Sequence, residues 1–137
     1  MDNGSKDLTV LLSLMEPYSD GEEYVFITTR QKCITESDLK LRPVGVFQEK
    51  EGLSLIILKK TAEENGIGFD SVFGLISLNV HSSLDAVGLT ALISTKLADE
   101  GISVNVVAAY YHDHIFVQYE KAERALVVLK ALQSCGK

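Results

Sequence analysis

Two groups of residues carry side chains whose types and spacing could do chemistry. His112-Asp113-His114 sets two imidazoles one residue apart, and on a strand that spacing sends both to one side. With a third ligand such as His81 they could hold zinc or another transition metal. The competing reading is a polar hairpin connection in which Asp113 makes the turn and both rings are solvated or hydrogen-bonded. No HExxH, cysteine pair or carboxylate at useful spacing accompanies the histidines, so the polar connection is preferred. No metal or cofactor is therefore assigned, and His112 with His114 stand as the metal alternative. The second group is the loop Ser82, Ser83, Leu84, Asp85, Ala86, Val87 and Gly88. It precedes an amphipathic pattern, and a helix start offers unpaired N–H groups and the positive end of a dipole to a carboxylate. The plainer account is that Ser83 and Asp85 cap the helix while Gly88 lets it pack closely. A hydrolase using Ser82 or Ser83 with a histidine and an aspartate lacks the GxSxG elbow, so no catalytic residue is assigned.

The elements that must position these residues follow from periodicity. Asp85 to Glu100 reads as a helix, with Asp85 as N-cap, Val87, Ala91, Leu92 and Ala98 on its apolar side, and Gly101 closing it. Val72 to Val80 reads as the strand before it, with Gly74, Ile76, Leu78 and Val80 toward a core. Ile102–Ala109 and Ile115–Tyr119 read as strands around the Tyr-Tyr-His-Asp-His connection, and Lys121–Gln133 as a second amphipathic helix. Tyr110 and Tyr111 cannot both face a core, so one is expected at a surface. Strand, helix, strand, strand, helix is the split βαβ order of the ferredoxin-like kind. It lacks a fourth strand, and the N-terminal half, which has strands to spare, either completes this sheet or forms a smaller βαβ-like unit of its own.

That half reads as a short helix over Asp7–Met15 stopped by Pro17, a strand at Tyr24–Thr29, and an irregular polar loop from Arg30 to Pro43. A hairpin of Val44–Gln48 and Leu53–Leu58 follows, turning at Gly52, then a helical turn or two over Lys59–Asn65 ended by Gly66 and Gly68.

Composition narrows the function classes. The 137 residues carry 46% hydrophobic content and a net charge of −6. That is enough apolar surface for a folded core, and no general electrostatic pull toward nucleic acid or an anionic membrane. The longest apolar run, Leu53–Leu58, is too short to span a bilayer, and MDNGSKD lacks the basic and apolar regions of a signal peptide. A cytoplasmic location is expected. Cys33 and Cys135 lie too far apart for a CxxC site and read as free thiols.

The stretch HSSLDAVGLTALISTKLADEGISVNVVAAYYHDHIFV resembles the ACT domain, in the branch of tandem ACT-like pairs found in small bacterial proteins of unassigned function. Aspartokinase regulatory domains are more distant relatives. The likeness covers Phe73–Leu132, and VFQEKEGLSLIIL gives a weaker one over Glu22–Leu58. It implies an α+β fold of two ferredoxin-like halves around antiparallel sheets, residues 1–70 divergent and 71–137 nearly complete. It further implies a non-enzymatic sensor whose sheets pair side by side and hold an amino acid or small carboxylate at the interface. The matching site positions are Ser82–Gly88, with Asn105 and Val106 on the next strand. Asn105 stands where amino-acid-binding relatives often carry an acidic residue. A homodimer is the expected assembly, because so small a unit would otherwise expose its sheet edges. A protein-interaction module without a small ligand and a metal-dependent enzyme using His112 and His114 are the rival readings.

Overall fold

In the computed structural model of the chain, residues 10–79 and 88–135 are described. In chain order they form α1 (residues 10–13), β1 (Tyr18–Ser19), β2 (Tyr24–Thr29), α2 (Glu36–Lys40), β3 (Gly45–Glu49), β4 (Gly52–Leu58) and α3 (Lys59–Glu64). Then come β5 (Phe73–Leu78), α4 (Leu89–Asp99), β6 (Asn105–Ala108), β7 (Asp113–Gln118), a 3-10 turn at Tyr119–Lys121, and α5 (Ala122–Cys135). They divide into two compact units: Glu22–Phe73 forms one, and the chain on either side of it forms the other.

In the Glu22–Phe73 unit, β4 lies between β3 and β2, and both pairings are antiparallel. The strand period of two puts Val25 and Ile27 of β2 beside Ile57 and Leu55 of β4, and with Leu53 and Ala62 these form the core. Leu41, Ile67, Phe69 and Val72 pack against it from the connections. The polar stretch expected as loop contains α2, begun by a reciprocal cap. Asp38 N–H donates to Thr35 Oγ1, while the Asp38 carboxylate accepts from Thr35 N–H at 2.9 Å and from its hydroxyl at 3.0 Å. Those bonds explain how Asp38 can be buried.

Gly52 turns the hairpin as its position suggested. Its φ is +146°, and a Cβ there would lie 2.0 Å from the Thr29 carbonyl oxygen. Backbone conformation and close approach thus both demand glycine.

The other unit places β5 between β1 and β7, with β6 outside β7. Its core joins Leu11, Leu12 and Met15 to Ile76 and Leu78 of β5, Leu89, Ile93 and Leu97 of α4, Ile115 and Val117 of β7, and Ala125, Leu129 and Leu132 of α5. The fourth strand missing after α5 is β1, from the start of the chain. Tyr18 opposes Ser77 and Ser19 opposes Ile76, antiparallel, and Asn79 N–H donates to the Met15 carbonyl at 2.7 Å. Gly74 faces α5 so closely that a Cβ would sit 2.8 Å from Ala122 Cβ.

On α4 the buried stripe is Leu89, Ile93 and Leu97, whereas Ala91 and Ala98 are exposed and Leu92 half-buried. The stripe expected from the sequence is therefore displaced around the helix. Leu89, Ile93 and Leu97 recur every four residues, and their larger side chains take the position nearest the sheet.

Gly52→Ala should lower stability by about 2 kcal/mol or more, since strain and overlap with backbone act together. Gly21→Ala should cost only about 1 kcal/mol, because φ is +74° but nothing lies within 4 Å of the added Cβ. Urea unfolding of the two variants checks the ranking.

Candidate functional site

Residues Ser82–Val87 of the expected ligand loop, and His81 beside them, lie outside the described residues. Gly88 is described, and it is the N-cap of α4, with φ 92° in the left-handed region and no side-chain cap. Its carbonyl accepts from Leu92 N–H at 2.9 Å. The helix therefore begins at Leu89, later than the sequence reading placed it, and Gly88 makes the turn into it. No acidic residue stands in the first turn of α4.

Asn105 and Val106 lie on β6, opposite Phe116 and Ile115 of β7. Neighbouring strand residues point to opposite faces, so the two side chains do not share a surface. Asn105 Nδ2 donates to the Phe116 carbonyl at 3.2 Å, which engages its amide and leaves Oδ1 as an acceptor. Ala109 N–H donates to the His112 carbonyl at 3.0 Å and closes the hairpin. Because hydrogen-bonded and non-bonded pairs alternate along an antiparallel ladder, Asn105, Val107 and Ala109 bond toward β7, and Val106 and Ala108 turn N–H and C=O to the outer edge. All four residues of β6 are exposed.

The Tyr-Tyr-His-Asp-His connection is shorter than expected. Ala109–His112 makes the turn, whereas Asp113 and His114 already belong to β7. Asp113 is therefore not the turn residue. Tyr110 and Tyr111 are both exposed at the tip, with their rings edge to face at 5.0 Å. His114 lies opposite Val107, and its Nδ1 is 2.8 Å from Ser77 Oγ on β5, a partner that no sequence pattern indicated. Burial pushes the His114 pKa down, and the neighbouring His112 adds to the effect while Asp113 opposes it. Burial pushes the Asp113 carboxyl up, partly offset by His114. The His112 and His114 ring centroids are 6.1 Å apart. Among the described residues, no group of three or more histidine, cysteine, aspartate or glutamate side chains is placed to hold a metal.

Two ACT domain models match the chain, one over residues 3–74 and the other over residues 70–131. The chain belongs to the ACT domain family. It is a tandem ACT protein, and the α+β, ferredoxin-like reading holds for both halves. A solved protein of unknown function from Vibrio cholerae, described as a possible transport protein, is 46% identical, with 96% of this chain and 99% of that chain covered and a TM-score of 0.83. A protein from Agrobacterium tumefaciens shares the fold at 16% identity and TM-score 0.63, covering 82% of this chain and 84% of that one. The regulatory subunit of aspartate kinase from Thermus flavus shares it at 11% identity and TM-score 0.60, covering 85% and 95%. No curated protein matches the chain. ACT domains are typically regulatory, bind small effectors and commonly form oligomers. Among the described residues, no helix is long and apolar enough to cross a membrane.

Gly88→Ala should cost about 1 to 2 kcal/mol from its left-handed backbone alone. Ile93→Asp, which places a carboxylate at a site 3% exposed, should abolish cooperative melting of this unit. Circular dichroism melts distinguish the two.

Proposed function

We propose that this ACT protein is a non-enzymatic regulatory module of the cytoplasm that binds an amino acid or small carboxylate where copies of the chain meet. Ser82–Gly88, Asn105 and Val106 border the effector in this reading, Asn105 by its side chain and Val106 by its main chain, since their side chains point to opposite faces of β6. Its main support is family membership over both halves of the chain. A second support is the left-handed Gly88 at the start of α4, where the first N–H groups of the helix lack a side-chain acceptor from the N-cap and suit a carboxylate.

The homodimer in this proposal pairs through β6. From Ile102 to Tyr111 the chain has no charged residue or proline, and the outward N–H and C=O groups of Val106 and Ala108 form an unprotected edge. At β3, by contrast, Gln48-Glu49-Lys50-Glu51 closes the strand with charge, a device that discourages pairing. The same β6 edge also favours a second reading, an interaction module that pairs strands without any small ligand.

Amino acids and small carboxylates at millimolar concentration are expected to raise the melting temperature of the chain. A ligand at one hundred times its Kd stabilises by about 2.7 kcal/mol, a shift of several degrees. Gly88→Val should lose this response while still folding. No shift across the panel rejects the sensor and leaves the interaction module.

Val106→Pro removes an N–H that points to the outer edge and so spares the bonds to β7. It should convert a dimer to a monomer in light scattering after size exclusion. A dimer that survives the substitution places the interface elsewhere.

A further inference from the structure

We propose that His114 is an acid-sensitive latch on β6: a proton on its imidazole loosens the β6–β7 hairpin and opens this edge of the sheet. The proposal does not depend on the effector reading. β6 ends the strand order with β7 as its neighbour, and all four of its residues are exposed. An edge strand with so little buried area is where local opening takes least free energy. His114 stands inside that pairing, opposite Val107.

The surroundings of the ring favour its neutral form. Ile115 and Val117 belong to the core, so the alternation of β7 puts His114 on the other face. There it is half-buried, with the Ser77 hydroxyl of β5 2.8 Å from Nδ1 and Val107 across on β6. Phe116, 2% exposed, lies two residues along the same face, and Tyr18 of β1 stands opposite Ser77. None of these described neighbours carries a negative charge near neutral pH. Helices α4 and α5 pack on the core face, on the other side of the sheet from the ring. The remaining titratable neighbours are on β7 and the turn before it. The His112 ring centroid is 6.1 Å away, and alternation sends the Asp113 side chain to the opposite face. A hydroxyl both donates and accepts, so Ser77 can keep its contact in either protonation state without compensating the charge. A proton on His114 thus creates an imidazolium that is half removed from water and has a second imidazole beside it.

Acid is the destabilising direction. Burial lowers the His114 pKa, His112 lowers it further, and Asp113 opposes both. The unfolded chain takes up this proton near the ordinary value of about 6.5, before the fold does. Stability present above that pH is therefore lost as the pH falls through the lowered folded value. Asp113, pushed up by burial, has the opposite sign and is common to both proteins compared in the test.

The test compares the full chain with His114→Gln, whose amide can donate or accept at Ser77 but does not titrate. Proton NMR of the imidazoles from about pH 8 to about pH 5 follows His114 directly, and it is expected to titrate below about 6.5. Amide exchange, corrected for the intrinsic effect of pH, reads the hairpin through Val107 and Ala109, whose N–H groups bond toward β7. Their protection, relative to amides of the β5 core, is expected to fall several-fold between about pH 7.5 and about pH 5.5 in the natural protein and to stay level in His114→Gln. Titration of His114 at or above about 6.5 overturns the latch. So does the same pH dependence of protection in the two proteins, or a loss shared equally by β5. If His114→Gln does not fold, the imidazole titration and the comparison of β6 with β5 in the natural protein decide the matter.

Discussion

The unit that carries the candidate sites depends on the register of β5. One face of this strand gives Ile76 and Leu78 to the core, and the other gives Ser77 to His114. A slip of one residue would exchange the faces, bringing a hydroxyl into the core and Ile76 to the imidazole. β1 holds the register on one side through Tyr18 and Ser19, with the Met15 carbonyl receiving Asn79 N–H just beyond the strand. Two paired residues form a weak strand by themselves. The fully buried Met15 and the neighbouring Leu11 and Leu12 supply the apolar area that fixes them, so burial stabilises a pairing that hydrogen bonding alone would leave marginal.

This arrangement also explains the discontinuous chain. A ferredoxin-like order needs a fourth strand beside the first, and here that position is filled from upstream while Glu22–Phe73 folds as a separate unit in between. Early and late segments must therefore meet before the sheet is complete. Pairing of residues so far apart in sequence carries a large loop-closure cost, lessened here because the intervening residues have a core of their own.

Much of the fold was legible because its periods are strong. Tyr24–Thr29 has the expected boundaries, and Gly74, Ile76 and Leu78 face inward as their alternation requires. The missing strand was inferred from topology alone, but β1 was not located, since Tyr18 and Ser19 form too short a pattern to show a period. Helix α2 was missed because its evidence lies in the Thr35–Asp38 spacing. With aspartate in place of the usual glutamate or glutamine, and only Asp38 buried over five residues, no apolar stripe announced it. On α4, Ala91, Leu92 and Ala98 compete with Leu89, Ile93 and Leu97 for the inward face. One residue of helix is a rotation of about 100°, so composition could not choose between neighbouring stripes. The candidate site was less legible, because Ser77 and His114 meet only through the sheet.

The outer edge of β6 and the His114–Ser77 contact share a sheet but use different atoms. Edge pairing would draw on the main-chain groups of Val106 and Ala108, which point away from β7, whereas the contact joins side chains of β7 and β5. Neither requires the other's groups, so the β6 edge and the orientation of His114 are separable by substitution.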